Sequence, residues 1–133
     1  MSSKCWVLHV IYDILKTMEI ENLSIGCDIE ENSRFEDKSV EFLDKIFTKK
    51  EIEYCKKSRN YAQHLCARFC AKEAVIKALS EFNITDVYYS DIEILNKKTS
   101  APYAIIQKYP KITIKISLSH SKTHSIANVL LIK

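Results

Sequence analysis

The sequence predicts an α+β domain in which a small antiparallel sheet packs on one long helix plus shorter helices. Three observations support this fold class. The chain has 133 residues, the length of a single domain. Its apolar fraction of 47% and charged fraction of 28% are ordinary for a globular protein with a core. Segments with strand periodicity stand on both sides of a region with helical periodicity, so the predicted order is strand, helices, strands.

The first predicted strand alternates strictly between apolar and polar or small residues. The two sets are Leu23, Ile25, Cys27, Ile29 and Ser24, Gly26, Asp28, Glu30. Gly26 and Asp28 therefore share a face. Gly26 is the only glycine in the chain, and a strand glycine often marks the close approach of a ligand or of another backbone. A carboxylate beside it is a candidate cation site, although these residues alone favour an ordinary exposed aspartate at a strand end.

Two short helices are predicted next. Apolar side chains recur at helical spacing over residues 40–47. Thr48 and Glu51 form a capping-box pattern that opens a second helix, with Phe47 and Ile52 at the positions of a hydrophobic staple.

The longest helix is predicted over residues 61–82 and carries the second candidate site. Its core side is marked by Tyr61, Leu65, Phe69, Ala74 and Leu79. Asn83 is expected to end it in a left-handed cap. Glu73 and Lys77 lie one turn apart, so their side chains are expected to meet. Such a pair is also an ordinary surface stabiliser worth ~0.2–0.5 kcal/mol, so by itself it is weak evidence of function.

The last third of the chain is predicted to form strands. Ile92 and Ile94 alternate with acidic residues, residues 112–118 alternate strictly, and residues 126–132 form the nearly unbroken apolar run of a central strand. Residues 96–133 contain seven lysines and no carboxylate, within a chain of net charge +3. Such a stretch is either a solvated face or a surface for a polyanion. A small basic nucleic-acid-binding module, with salt-sensitive oligonucleotide binding, is therefore a rival hypothesis.

The five cysteines are odd in number and form no Cys-x-x-Cys motif, which indicates a reduced, cytoplasmic protein. Cys66 and Cys70, and His120 and His124, have ligand-like spacings, but the two pairs lie far apart. We interpret the cysteines as buried structural residues rather than zinc ligands.

No apolar run approaches the ~18 residues of a membrane span, and no secretory cleavage site follows the apolar N-terminal stretch. Neither a membrane nor export is therefore expected. Residues 1–22 are interpreted as an N-terminal extension, and import into an organelle stays open.

Four segments carry a resemblance to a known family. They are IGCDIEENSRF at 25–35, FTKKE at 47–51, ARFCAKEAVIKAL at 67–79 and ISLSH at 116–120. In these segments the chain resembles the holo-acyl-carrier-protein synthase family of 4′-phosphopantetheinyl transferases. The third is the most specific, because Phe-small-x-Lys-Glu-Ala-x-x-Lys is the family's pattern. The resemblance implies the 4′-phosphopantetheinyl transferase fold for residues 23–133.

The resemblance also implies an activity. The 4′-phosphopantetheine group passes from coenzyme A to a serine of an apo acyl carrier protein, releasing adenosine 3′,5′-bisphosphate, as a step of fatty acid biosynthesis. In the family the matching Asp and Glu bind Mg²⁺, so Asp28 and Glu73 are the expected metal ligands and, with Lys77, the expected catalytic residues. Lys77 would assist at the transferred phosphate. The base that deprotonates the serine is either Glu73 or a water held by the metal.

The same resemblance implies the binding residues. Arg68, Lys77, Ser119 and His120 are expected to bind coenzyme A, and Arg34 is expected to dock the acidic carrier protein. Coenzyme A and the apo carrier protein are thus the expected partners, and no nucleic acid is. A catalytically idle relative that binds coenzyme A is the alternative within the same class.

The resemblance also bears on the oligomeric state, and the sequence differs from the family's pattern at two turns. Many members are homotrimers with sites at subunit interfaces, and the apolar run 126–132 also suggests a homotrimer. A Gly-rich turn after the long helix is missing from residues 81–86, and a Gly-Lys-Pro turn is replaced by Ser-Ala-Pro at residues 100–102. Contacts in those two regions are therefore not carried over.

Overall fold

The computed structural model describes residues 3–17 and 20–133. The helices are α1 (Ser3–Thr17), α2 (Val40–Ile46), α3 (Lys49–Lys56) and α4 (Tyr61–Glu81). The strands are β1 (Leu23–Glu31), β2 (Ile92–Asn96), β3 (Pro102–Ile106), β4 (Thr113–His120) and β5 (His124–Ile132). Single 3-10 turns cover Ile20–Asn22, Asn32–Phe35 and Tyr89–Asp91. This order confirms the α+β class; positions 1, 2, 18 and 19 of the expected extension lie outside the described residues.

The larger sheet is antiparallel and has the strand order β1-β5-β4. In the centre, Ala127 of β5 pairs with Asp28 on one side and with Leu118 on the other. Ala127, Val129 and Leu131 are buried on the face that packs against α4. The predicted central apolar strand is therefore confirmed.

β1 turns its polar side toward the helix and its apolar side away from it. Ser24 is buried, and its hydroxyl donates to the Ala78 carbonyl oxygen at 2.8 Å, whereas Ile25 is 76% exposed. A Cβ at Gly26 would lie 1.9 Å from the carbonyl oxygen of Ala74. Gly26 therefore permits the close approach of a second backbone. Of the two explanations that the sequence offered, a ligand or another backbone, this is the second.

The opposite side of this sheet, which we call the outer face, is largely apolar. Its apolar side chains from β1 and β5 are exposed or half-buried, namely Leu23, Ile25, Ile29, Ile126, Leu130 and Ile132. A contiguous apolar patch of this kind is unusual on a monomer and is typical of an interface.

The helices begin and end close to the predicted residues. Glu51 N donates to Thr48 Oγ1 at 3.3 Å, and Thr48 N donates to Glu51 Oε2 at 2.7 Å, so the capping box at the start of α3 is confirmed. After α4 ends, Asn83 has a φ of 56°, which confirms the left-handed cap. Most of the predicted core side of α4 is buried, namely Leu65, Phe69, Ala74 and Leu79.

A buried ion pair ties α4 to α3 and to the start of β2. Lys72 Nζ lies 2.8 Å from Glu51 Oε2, and both side chains are fully buried. The same ammonium donates to the carbonyl oxygens of Ile46, Tyr89 and Ile92. Burial lowers the pKa of Lys72, and the neighbouring Glu51 carboxylate opposes this effect. The network holds the turn before β2 against α4.

Two elements add to the predicted fold. β3 pairs with β2 in a second antiparallel sheet, so the domain has two small sheets where the sequence predicted one. The segment Pro102–Ile106 lacks apolar–polar alternation because most of its side chains are half-buried.

The helix α1 exposes apolar side chains, including Trp6, Leu8 and Ile11. In the described part of the chain, no helix has the length and apolar character needed to cross a bilayer.

Candidate active site

Asp28, Glu73 and Lys77 meet at an open cavity of about 400 Å³ where β1 packs across α4. The strand supplies Asp28, and successive turns of the helix supply Glu73 and Lys77. The remaining lining is formed by Glu30, Arg34, Phe42, Ile46, Phe69 and Tyr89. The three predicted catalytic residues are thus brought together by the packing of two elements.

Lys77 is the direct partner of Asp28. Its Nζ donates to Asp28 Oδ1 at 2.8 Å and to the Cys27 carbonyl oxygen at 3.0 Å. The hydrogen bond to Asp28 is the main reason why the pKa of Lys77 is raised. Among the described residues Lys77 forms its ion pair with this strand carboxylate and not with its helix neighbour Glu73. The pairing expected from helical spacing is therefore wrong, because β1 brings a second carboxylate within reach.

Glu73 is held by a residue that the sequence analysis missed. The hydroxyl of Tyr89 donates to Glu73 Oε1. Burial, followed by this hydrogen bond, raises the pKa of Tyr89 to about 12, so the phenol stays protonated at physiological pH. Tyr89 lies in the turn Tyr89–Asp91, outside all four motifs, and no local pattern marks it as a site residue.

Arg34 lies at the rim of the cavity. It forms an ion pair with Glu30, four residues earlier in the sequence at the end of β1, and its guanidinium carbon lies 4.9 Å from the centre of the Phe69 ring. Half of its side chain is exposed, at 50%. The guanidinium can therefore still meet a second negative group that approaches from solvent.

Asp28 and Glu73 suit a hard divalent cation. Mg²⁺ prefers oxygen ligands and is usually held by one or two carboxylates, with waters and substrate phosphates at the other positions. Within residues 3–17 and 20–133, no group of three or more His, Cys, Asp or Glu side chains is placed to hold a metal ion. Asp28 and Glu73 would supply two oxygen ligands and leave the other coordination positions of such an ion to water or phosphate.

The other predicted coenzyme A residues lie away from this cavity. Ser119 and His120 are exposed at the end of β4, which β5 separates from β1. Arg68 is only 2% exposed and donates to Asn96 Oδ1 at 2.6 Å, while its buried Nε has no hydrogen-bond partner among the described residues. Its Nη1 also donates to the His64 carbonyl oxygen at 3.3 Å, so the guanidinium is largely engaged within the chain. One chain therefore assembles the predicted metal and transfer residues but not the whole predicted coenzyme A set.

The cysteines of α4 are structural. Cys66 and Cys70 are fully buried, and Cys70 Sγ donates to the Ser125 carbonyl oxygen at 3.4 Å. His120 and His124 are exposed on β4 and β5. The prediction that Cys66 and Cys70 are buried is confirmed.

The geometry can be compared with known proteins. A family model described as the 4′-phosphopantetheinyl transferase superfamily matches residues 24–129. The holo-[acyl-carrier-protein] synthase of Aquifex aeolicus is 36% identical over 114 residues, which cover 77% of this chain and 93% of that protein. The protein of the same name from Clostridium tetani is 33% identical over 129 residues, which cover 91% of this chain and 92% of that protein.

Solved structures agree with these relatives. The crystal structure of a holo-(acyl-carrier-protein) synthase from Bacillus anthracis in complex with CoA (3′,5′-ADP) matches with a TM-score of 0.73 at 31% identity, covering 83% of this chain and 96% of that one. The Helicobacter pylori holo-[acyl-carrier-protein] synthase in complex with coenzyme A matches with a TM-score of 0.69 at 27% identity, covering 80% and 98%. These matches confirm the resemblance seen in the four motifs: the chain belongs to the 4′-phosphopantetheinyl transferase superfamily.

Proposed function

We propose that this chain is a holo-acyl-carrier-protein synthase, which transfers 4′-phosphopantetheine from coenzyme A to a serine of an apo acyl carrier protein. The convergence of Asp28, Glu73 and Lys77 at one cavity, inside the family-matched segment, carries the proposal. Relatives of this name and solved complexes of such proteins with coenzyme A support it.

The residues present can perform each part of this transfer. The serine oxygen forms a bond to the phosphorus on the pantetheine side of the pyrophosphate, and that phosphorus loses its bond to the bridging oxygen, which leaves with adenosine 3′,5′-bisphosphate. Asp28 and Glu73 would hold Mg²⁺, which supplies positive charge against the phosphate oxygens. Lys77 would place its ammonium against the departing phosphate. Glu73, or a water beside it, would accept the serine proton.

We also propose a homotrimer in which neighbouring subunits share each coenzyme A site. The exposed apolar outer face supports association, since such faces are normally covered. Ser119 pairs with Ile126 on that face of the sheet, which supports a contribution of Ser119 to a neighbour's cavity. His120 pairs with Ser125 on the opposite face, but it is exposed at the same end of β4. A shared site would unite coenzyme A residues that one chain keeps apart.

Two further parts of the proposal concern the carrier and the compartment. Arg34, exposed at the cavity rim, would dock the acidic carrier protein. The free cysteine thiols support a cytoplasmic location, where thiols stay reduced.

One experiment tests the proposed function. The purified chain is incubated with coenzyme A, Mg²⁺ and an apo acyl carrier protein, and the carrier is examined by intact mass. We expect a gain of one phosphopantetheine group that a metal chelator abolishes. Binding of coenzyme A without transfer would instead indicate an idle relative. Salt-sensitive binding of an oligonucleotide with neither activity would favour the nucleic-acid-binding hypothesis.

A further inference from the structure

One polar side chain that lines the cavity lies outside the four sequence motifs. Tyr89 stands in the turn Tyr89–Asp91, just before β2, and its hydroxyl donates to Glu73 Oε1. Its neighbour Tyr88 is 69% exposed and does not line the cavity. The chain thus has two adjacent tyrosines, of which one faces the site.

The position of Tyr89 is determined by the core and not by the turn alone. Its carbonyl oxygen accepts a hydrogen bond from Lys72 Nζ at 2.9 Å, and that ammonium is fully buried beside Glu51. Its ring packs against Phe69 with 5.5 Å between ring centres. The backbone and the ring of Tyr89 are therefore both held in place, which fixes its hydroxyl at the edge of the cavity.

We infer that Tyr89 is a positioning residue for Glu73, whose carboxylate it holds through Oε1 so that the other oxygen is available to a divalent cation. The inference rests on the proposed function only in assigning Glu73 to the metal. A metal-binding side chain binds its ion more tightly when a hydrogen bond to a neighbouring residue fixes its orientation. Losing that neighbour typically lowers the metal affinity about 10–100-fold.

A phenol is better suited than a second ammonium group to orient the Glu73 carboxylate. The Tyr89 hydroxyl is an uncharged donor in its hydrogen bond to Glu73 Oε1. A neutral donor orients the carboxylate without cancelling its charge. Lys77 holds Asp28 by charge, and Tyr89 holds Glu73 by a hydrogen bond alone.

The variant Tyr89→Phe removes only the hydroxyl. The ring contact with Phe69 and the carbonyl bond from Lys72 remain, and Glu73 is half-buried at an open cavity where water can replace the lost donor. The melting temperature is therefore expected to change by no more than a few degrees. Tyr88→Phe is the matched control, because it deletes the same atom one residue away.

The test measures Mn²⁺ binding by electron paramagnetic resonance, together with transfer kinetics at varied Mg²⁺. For Tyr89→Phe we expect Mn²⁺ affinity to fall about tenfold or more, and turnover to fall at low Mg²⁺ and recover at high Mg²⁺. A merely structural hydrogen bond would not give this rescue by metal. Tyr88→Phe should match the wild type in both measurements.

The outcomes separate this inference from the proposed function. If Tyr89→Phe binds Mn²⁺ with wild-type affinity, the positioning role is wrong, whether or not the wild type transfers phosphopantetheine. If the wild type transfers nothing but Mn²⁺ affinity still falls in Tyr89→Phe and not in Tyr88→Phe, the proposed function fails and the positioning role stands.

Discussion

At the cavity between β1 and α4, Asp28 and Glu73 each have their own partner. Lys77 holds Asp28, and Tyr89 holds Glu73. Two carboxylates that face one cavity repel each other unless a positive charge or a hydrogen bond compensates them. Asp28 and Glu73 are therefore compensated within the chain without a bound cation.

Asp28→Ala and Glu73→Ala should each abolish transfer while the fold survives. Losing either ligand removes charge stabilisation at the phosphate, for which a drop of at least about 100-fold is expected. Transfer is followed by intact mass of the carrier, and folding by thermal melting without metal. Glu53→Ala, an exposed carboxylate of α3, is the control and should behave as the wild type. Near-normal turnover of either site variant at saturating Mg²⁺ would overturn the metal assignment.

Arg34 should affect the binding of the carrier protein and not the binding of coenzyme A. Arg34→Glu places a like charge against an acidic partner, so the KM for the carrier should rise while the KM for coenzyme A barely changes. High salt should slow the wild type more than the variant, because screening removes an attraction that only the wild type has. Steady-state kinetics with each substrate varied, at low and high ionic strength, measure both effects.

A control shows whether the effect belongs to Arg34. Arg59→Glu makes the same charge change at an exposed arginine that does not line the cavity. It should leave the KM for the carrier close to the wild-type value. An equal rise in both variants, or a large rise in the KM for coenzyme A, would remove Arg34 from the docking surface.

Among the elements, the contact of β1 with α4 determines the geometry of the site. Gly26 lets the strand lie directly on the helix backbone at Ala74, the residue after Glu73. Asp28 is two residues further along the same face of the strand. The relative position of Asp28 and Glu73 therefore depends on a glycine that does not line the cavity.

Gly26→Ala should destabilise the fold and impair the site together. The new Cβ would meet the Ala74 carbonyl oxygen at 1.9 Å and the Ala78 Cβ at 3.2 Å, so β1 has to move away from α4. Overpacking of this kind costs about 1–3 kcal/mol in the free energy of unfolding, and contact with rigid backbone places the change near the upper end. Urea unfolding measures the loss. A wild-type midpoint with wild-type activity would show that the strand and the helix are not in such close contact.

For the whole molecule, the outer face of the larger sheet is the feature that a single chain leaves unexplained. Leu23, Ile25 and Ile29 of β1 are exposed there. Apolar side chains in this position are consistent with burial against another subunit. Assembly and catalysis would then depend on the same surface, because Ser119 pairs with Ile126 on that face.

Light scattering at micromolar concentration should give about three times the chain mass of 15.4 kDa. Ile25→Asp should dissociate the assembly and lower activity, because a charge in an apolar interface has no partner. Val40→Asp is the matched control, since Val40 is an exposed apolar residue of α2, away from the outer face. A stable wild-type monomer with full activity would refute the trimer.

The sequence by itself determined the α+β class, the family, and the residues that meet at the cavity. It did so because strand and helix periods, the capping box and the four motifs are local patterns that survive in any packing. Asp28, Glu73 and Lys77 were thus identifiable before their contacts were known.

Only the tertiary structure decided which partner each of these residues takes. Helical spacing paired Lys77 with Glu73, but the strand that Gly26 admits supplies Asp28 instead. Tyr89 reaches Glu73 because the buried Lys72 anchors its turn, which no local pattern reveals. The alternation in β1 predicted a strand, but not that its apolar side would face outward. Periodicity shows that a strand has two different faces, whereas the packing of the whole molecule decides which face is covered.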